Sequence, residues 1–438
     1  MRILACLFIA STCFGQVVYE GARLITGDGS APIENGNFVV RNGHIAAVGR
    51  GSVASPPGVI HVDLTGKTVI PAMINAHLHI GYEGYTSWGA ENYTPQNVLD
   101  HLQREAFYGV GATQTVGSSP TDSSIQFIKD QTAGKFPPAS RFFFIPGMAP
   151  PNGGPDAILL KGTSALHAVY EVSTGSEARV AVRGMADKGL KSVKIWVDDR
   201  RGTYPKMTPE VYNAVIDEAH SHHMIVQAHA IALEDQKAVV RAGADVLVHI
   251  VANEKVDDEL LALIAEKKPY WTPVMGLSDR SEVCDNDPFI DQVLPAETVK
   301  SIRAISCAPL SANAKTREEM LAYNFPKMIA AGARIVLGTD AGITNRYSFG
   351  WADHHEIARY VQFGLTPAQA IVAATQRPAA MIGIEDMGTL AAGKSADFVV
   401  LNANPLDNIR NTRTIESVYL RGVKLDREAL LKKWDLRR

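Results

Sequence analysis

Two hydrophobic patterns divide the chain. Over residues 17–69, and again over 396–420, short runs of alternating apolar and polar residues are separated by turn pairs such as Asn42-Gly43. Alternation with a period of two is typical of strands that bury one face. It predicts strands at residues 17–24, 37–41, 44–48, 60–64, 396–401 and 415–420. We therefore expect one small β-sandwich-like domain built from both chain ends, over residues 16–70 and 386–438.

Between these segments, apolar runs alternate with helical periodicity, which is the repeat of a parallel α/β sheet. Three helix starts have Thr as the N-cap and Pro at the first helical position, at Thr94, Thr208 and Thr366. Candidate strands end near His79, Val116, Ile145, Ile195, His229, His249, Pro273 and Asp340. Eight such strands predict a (β/α)8 TIM barrel over residues 71–385, with insertions at 81–92, 150–174 and 278–315.

The first residues follow a third pattern. Arg2 precedes a short apolar run over residues 3–10, and small residues near Gly15 offer a cleavage site. This predicts a signal peptide at residues 1–15, because the run is too short to span a bilayer. The residues before Cys13 match a lipoprotein signal poorly, so no lipid anchor is expected there. We expect a secreted or periplasmic protein with no membrane span after cleavage.

Composition adds limits on partners. The chain has 438 residues, 46% of them hydrophobic, and a formal net charge of −3. A chain of this length can bury a large core, and without a basic excess nucleic acid is not an expected partner, so small molecules are. A homo-oligomer is left open. Cys284 and Cys307 remain after cleavage, and a disulfide or two free thiols are equally compatible with the sequence.

The predicted strand ends carry the candidate chemistry. In a strand, His77 and His79 point to the same side and can bind one metal ion. Further candidate ligands at strand ends, where barrel active sites lie, are Lys194, His229, His249 and Asp340. Each alone has a structural interpretation, as a satisfied polar strand end, a buried ion pair or a turn cap. Four His, one Lys and one Asp at five strand ends together favour a metal site.

The set resembles the metal-dependent amidohydrolase superfamily, and is closest to its imidazolonepropionase-related and prolidase-like branch. The resemblance also includes residues 338–342 and 393–401, followed by Asn404-Pro405-Leu406. It implies two divalent metal ions, one held by His77, His79 and Asp340 and the other by His229 and His249, with N-carboxylated Lys194 as the bridge. Zinc suits histidine and carboxylate ligands best.

The resemblance also implies a reaction. A metal-bridging hydroxide would cleave an amide (C–N) bond of a small substrate, such as an N-acyl amino acid or a dipeptide, with Asp340 as general base. A mononuclear cyclic-amide ring-opening hydrolase or a deaminase is an alternative that would not need Lys194. A lactone or phosphotriester hydrolase on the same site is another. A non-enzymatic scaffold is disfavoured, because it has no need for the ligand set.

Two positions depart from the family's pattern. Ala72 and Asn75 replace the usual Gly and Asp before His-x-His, which we expect to change the surroundings of the ligands without removing the site. The loop over residues 151–156 has no His where prolidase-like members carry Gly-Gly-His-Gly, so the resemblance does not extend to dipeptidase specificity. Candidate substrate contacts near the mouth are Arg200, Arg201, Tyr204, Trp271 and His354.

Overall fold

A computed structural model describes residues 15–51, 58–84, 87–279, 288–294, 296–307, 312–343 and 348–435. The predicted signal peptide, except for its last residue, lies outside the described residues, and so do Cys13 and Cys284. Cys307 is disulfide-bonded. In the described part of the chain, no helix is long and apolar enough to cross a bilayer.

The strands are short and numerous. In chain order they are β1 (Val17–Leu24), β2 (Ile33–Arg41), β3 (His44–Arg50), β4 (Ile60–Asp63), β5 (Thr68–Pro71), β6 (Met73–Leu78), β7 (Val110–Val116), β8 (Arg141–Ile145), β9 (Gly147–Ala149), β10 (Val169–Glu171), β11 (Ser192–Trp196), β12 (Ile225–His229), β13 (Val246–Val248), β14 (Tyr270–Thr272), β15 (Arg334–Ile335), β16 (Phe398–Leu401), β17 (Ile415–Leu420) and β18 (Val423–Lys424).

Helices fill most of the connections between the parallel strands. The α-helices are Pro95–Phe107, Thr121–Thr132, Pro155–Leu159, Gly175–Asp187, Pro209–Ser221, Leu233–Ala242, Asp258–Lys267, Ala296–Ser306, Ala312–Ala330, Trp351–Gln362, Pro367–Ala374, Gln376–Ile382 and Arg427–Asp435. Of the three predicted N-caps, Thr94 accepts a hydrogen bond from the third amide of its helix, Thr366 forms a capping box with Gln369, and Thr208 occupies the N-cap without a side-chain bond.

One sheet joins the two ends of the chain. It has eight strands in the order β18-β17-β16-β5-β1-β2-β3, with β4 paired to β1, and all six predicted short strands lie in it. Four aromatic rings pack at its centre, with Tyr19 stacked on Phe38 at 4.6 Å and Phe398 stacked on Tyr419 at 4.4 Å between ring centroids. The prediction that both ends contribute to one sheet is therefore observed, while its independence as a domain stays a prediction.

The middle of the chain forms parallel sheets. Seven strands follow the order β10-β9-β11-β12-β13-β14-β15, and three follow β6-β7-β8. All eight predicted parallel strands are present, which confirms an α/β architecture. Beyond β15, backbone hydrogen bonds link its chain to β6: the amide of Ala76 donates to Leu337 O at 2.9 Å, and that of Thr339 donates to His77 O at 2.8 Å.

The apolar run over residues 69–79 is typical of a single strand, but it forms two strands in the structure. β5 pairs with β16 in the eight-stranded sheet, whereas β6 pairs with β7 in the parallel sheet. The change occurs at Ala72, whose amide donates to Asp397 O, while the next amide, of Met73, donates to Gly109 O, each at 3.0 Å. Both sheets bury this run, so its hydrophobicity alone does not reveal the division.

Candidate metal centre

The six predicted ligands converge in one buried cluster. His77 and His79 are at the end of β6, Lys194 is in β11 and His229 ends β12, while His249 and Asp340 follow β13 and β15. All six side chains are buried, and His249, the most accessible residue, is 8% exposed. Strand ends therefore bring together residues up to 263 positions apart in sequence.

Asp340 contacts the imidazoles of both His77 and His79. Its Oδ1 is 3.1 Å from Nε2 of His77 and 2.9 Å from Nε2 of His79, and Nδ1 of His79 lies 2.8 Å from Oγ of Ser118. Burial raises the pKa of Asp340, but the contacts with His77 and His79 outweigh it and hold that pKa well below its usual range. Asp340 is therefore a carboxylate, ready to bind a cation.

Four buried nitrogens in the cluster have no hydrogen-bond partner among the described residues. They are Nδ1 of His77, Nζ of Lys194, Nδ1 of His229 and Nε2 of His249. Unsatisfied buried polar atoms are rare in folded proteins, and four of them in one cluster require an explanation. Imidazole and carboxylate are the ligand types that divalent transition metals prefer, so the residues fit a metal centre.

The candidate ligands form two groups that share His249. Within each group, the ligand atoms all lie within 4.8 Å of one another. The first contains His77, His249 and Asp340, and the second contains Asp156, His229 and His249. The arrangement therefore has room for cation binding at two neighbouring positions, one on each side of His249.

Lys194 is buried among these positive and negative groups. Burial lowers the pKa of Lys194 to about 8, although the charges of Asp156 and Asp340 act to raise it. Its Nζ lies 5.6 Å from the centre of the Trp196 ring. Gly117 makes room for both side chains, because a Cβ at Gly117, which has a φ of +82°, would lie 2.5 Å from Trp196. A neutral amine is thus accessible to Lys194 near neutral pH.

The histidines differ in their electrostatics. Burial, followed by the charge of Lys194, lowers the pKa of His77 to about 4. Burial and then His229 hold the pKa of His249 well below its usual range. Burial also acts to lower the pKa of His229, but Asp156 and Asp198 outweigh it and raise that pKa. Neutral imidazoles are the form that binds metal, and His77 and His249 are in it.

The backbone at two predicted ligands is strained. His249 has a φ of +73° and Asp340 a φ of +61°. Residues other than glycine adopt such values at a cost of about 1–3 kcal/mol. Two residues beyond Asp340, Gly342 has a φ of +86°, and a Cβ there would lie 1.8 Å from the backbone O of His79. Strain of this kind concentrates at functional sites, because only the surrounding structure can maintain it.

The structure adds two acids that the sequence analysis missed. Asp198 Oδ2 lies 2.9 Å from Nε2 of His229, which fixes the tautomer and leaves Nδ1 for a ligand. Asp156, in the helix Pro155–Leu159, has Oδ2 3.0 Å from Nδ1 of His229. Asp198 follows β11 by two residues and was readable from its position after a strand end. Asp156 lies in an insertion without a periodic pattern.

The predicted substrate contacts have different outcomes. Arg200 lies beside the cluster, with guanidinium nitrogens 3.2 Å from Asp156 Oδ1 and 3.0 Å from Asp198 Oδ2. Arg201 is exposed and Tyr204 is half-buried. For Arg200, Arg201 and Tyr204, substrate contact stays a prediction.

The structure corrects two other predictions. Trp271 is fully buried, and its Nε1 donates to the backbone O of His249 at 2.7 Å, so it supports a candidate ligand and has no surface for a substrate. His354 is buried, with Nδ1 2.9 Å from Thr412 Oγ1 and Nε2 2.8 Å from Tyr108 O. Both ring nitrogens are occupied by the packing, so the prediction that His354 contacts substrate was wrong.

Comparisons with known proteins identify the family of the chain. A model of the amidohydrolase family matches residues 68–425. Ochratoxinase from Aspergillus niger is 26% identical over 92% of this chain and 85% of its own length. Imidazolonepropionase from Symbiobacterium thermophilum is 25% identical over 85% of each chain. The crystal structure of a putative prolidase from Bifidobacterium longum, 26% identical, covers 96% of this chain and 99% of its own with a TM-score of 0.72. The chain belongs to the amidohydrolase family and is a hydrolase that acts on carbon–nitrogen bonds.

Proposed function

We propose that the protein is an exported binuclear metal-dependent hydrolase that cleaves an amide bond of a small substrate. His77, His79 and Asp340 would hold one divalent ion, His229 and His249 the other, and N-carboxylated Lys194 would bridge them. The observation that carries the proposal is the fully buried Nζ of Lys194, which has no hydrogen-bond partner among the described residues and lies among these ligands.

An unmodified lysine does not explain that position. An ammonium group cannot bind a cation, and burying it without a partner is costly. A neutral Lys194 amine can instead attack carbon dioxide, forming an N–C bond and releasing one proton, which gives a carbamate. The carbamate is a carboxylate on a long side chain, with one oxygen for each ion. Its negative charge would also balance the ions in a site closed to solvent.

The chain's own residues account for proton transfer. Bound divalent ions lower the pKa of water so that hydroxide is available at neutral pH, and zinc suits this donor set. Asp340 is ionised and lies within 3.1 Å of the imidazoles of His77 and His79, so it can accept the proton of the attacking water. The same carboxyl can then donate that proton to the leaving nitrogen.

We propose an acyl amide, such as an N-acyl amino acid or a dipeptide, as the substrate. The names of the ochratoxinase and the putative prolidase point to this class, and the loop at residues 151–156 differs enough from the prolidase-like pattern to change the preferred amide. Lactones and phosphotriesters are candidate side substrates, because the same nucleophile attacks them.

The proposal includes architecture and location. The hydrogen bonds from β6 to Leu337 and Thr339 support a closed (β/α)8 barrel, with the eight-stranded sheet as a small β-domain. The pattern of residues 1–15 supports export, and the disulfide at Cys307 fits an oxidising compartment. Expression of the full chain should give a mature N-terminus near Gln16 in the exported fraction. An unprocessed chain retained inside the cell would contradict export.

The first experiment is metal content by elemental mass spectrometry on protein purified without chelators. We expect two equivalents per chain, a sharp fall in Lys194→Ala, and no change in the control Lys191→Ala, which alters an exposed lysine of the same segment. Asp340→Asn and His229→Ala should abolish hydrolysis of a panel of N-acyl amino acids and dipeptides. One equivalent, unchanged in Lys194→Ala, would instead indicate the mononuclear ring-opening or deaminase reaction.

A further inference from the structure

Asp156 has an unusual position for an acid in an insertion, because it is almost completely buried. It follows Gly153 and Gly154, and its side chain is only 2% exposed. Gly154 has a φ of +77°, which favours glycine, and a Cβ there would lie 3.2 Å from Cβ of Ala149. Asp156 Oδ1 is 3.2 Å from Arg200 Nη2, and Trp196 Nε1 donates to Oδ2 at 2.8 Å.

The remaining contact of Oδ2 is the informative one. It lies 3.0 Å from Nδ1 of His229, yet that nitrogen has no hydrogen-bond partner, because the approach does not have hydrogen-bond geometry. The other nitrogen of His229 is occupied by Asp198 at 2.9 Å. Nδ1 is therefore the nitrogen available to an ion, and a carboxylate oxygen lies 3.0 Å from it.

Such spacing is that of two ligands of one ion. Ligand atoms about 2.0–2.2 Å from a zinc ion are about 3 to 3.5 Å apart. Asp156, His229 and His249 also offer three ligand atoms within 4.8 Å of one another. Trp196 and Arg200 hold the carboxylate from outside this group, as partners of a metal-binding carboxylate commonly do.

We propose that Asp156 is a ligand of the ion held by His229 and His249, in addition to the residues that the family resemblance implies. The inference rests on the metal site of the proposed function. It gives that ion a carboxylate of its own, so the ion has three protein ligands before the Lys194 bridge is counted. It also gives the loop at residues 151–156, which departs from the prolidase-like pattern, a role in binding metal.

The test replaces the oxygen ligand with sulfur. Asp156→Cys protein loaded with Co²⁺ should show an intense near-ultraviolet thiolate-to-cobalt charge-transfer band, which appears only when the side chain at 156 binds the ion. Asp198→Cys is the matched control, because that side chain faces the other nitrogen of His229, and it should show no such band. A band in neither variant, with two Co²⁺ bound to the wild-type chain, would overturn the inference.

A second variant guards against misfolding of the cysteine protein. Asp156→Asn keeps the acceptor oxygen for Trp196 Nε1 but removes the charge, and it should weaken one of the two metal equivalents by at least about tenfold in competition with a chelator. Unchanged affinity for both ions would contradict the role of Asp156 alone. A wild-type chain that binds no second ion would contradict the proposed function itself, so the two failures are distinguishable.

Discussion

Two buried carboxyl groups that face each other give a sharp prediction about stability. Glu105 in the helix Pro95–Phe107 and Asp353 in the helix Trp351–Gln362 are both fully buried, and we call them the buried acid pair. Glu105 Oε1 accepts a hydrogen bond from the Gly350 amide at 3.0 Å. Glu105 Oε2 and both oxygens of Asp353 have no hydrogen-bond partner in the described part of the chain. A shared proton would satisfy both groups.

The pKa values agree with a shared proton. Burial, followed by the charge of Asp353, raises the pKa of Glu105 well above its ordinary value of 4.5. Burial raises the pKa of Asp353 to about 7, although its contacts with Glu105 and Asn75 lower it. An acid whose pKa is raised on folding takes up a proton as the chain folds, so stability falls as pH rises above the unfolded value.

The size of the effect follows from linkage. One proton taken up on folding lowers the free energy of unfolding by about 1.4 kcal/mol for each pH unit above the unfolded pKa. Glu105→Gln keeps the acceptor for the Gly350 amide but removes one titrating carboxyl, so the variant takes up one proton fewer than the wild type on folding. Between pH 5 and 7, the variant should therefore gain about 3 kcal/mol relative to the wild type.

Urea unfolding at half-unit steps from pH 5 to 8 measures this difference directly. The candidate metal ligands are the same in both proteins, so subtracting the two curves isolates the contribution of Glu105. Glu91→Gln, at an exposed position, is the matched control and should follow the wild type. Parallel curves for Glu105→Gln and the wild type would show that Glu105 takes up no proton on folding, and the reasoning from its burial would be refuted.

Three further substitutions test the surroundings of the centre. Asn75→Asp should lower the free energy of unfolding by about 3 kcal/mol at pH 8 and by less at pH 6, because it adds a charge beside the buried acid pair; equal losses at both pH values would contradict this. Trp271→Phe should cost about 0.5–1.5 kcal/mol in thermal or urea unfolding, since it removes the shorter of two hydrogen bonds to the buried carbonyl of His249 and leaves the 3.3 Å bond from Gln236 Nε2, and unchanged stability would count against that role. Gly342→Ala should prevent correct metal loading, as measured by elemental analysis, because its Cβ would overlap the backbone of His79; a fully loaded variant would show that the turn can move.

Sequence reasoning reached the strands and the ligands for the same physical reason. A parallel strand in a buried sheet is an apolar run, and a polar residue that ends the run stands out against it. His229 and Asp340 are visible in this way. Their strand ends meet because the carboxyl ends of parallel strands lie at the same edge of the sheet. Trp271 and His354 misled the analysis because proximity to a strand end does not tell whether a side chain points into the site or into the packing.

Asp156 and the division at Ala72 were not predictable by this reasoning. Asp156 lies in an insertion, and the feature that gives it meaning is a contact with His229, 73 positions later in the chain. The run around Ala72 is buried on both sides, so its composition is the same whichever sheet it joins. In both cases, the deciding information is a long-range contact, which a local pattern does not carry.

Asn75 connects these observations. Its Oδ1 accepts the amide of His77 at 3.0 Å, and its Nδ2 donates to Thr339 Oγ1 at 2.9 Å, so it ties the two chain segments that carry His77 and Asp340. The family's usual Asp could accept the first bond, but it would have to accept the second from the Thr339 hydroxyl instead of donating it. It would also place a third carboxylate beside the buried acid pair, where burial already raises two pKa values. A neutral amide at position 75 therefore preserves the geometry of the ligands while those two acids remain buried, which gives this departure from the family pattern a physical reason.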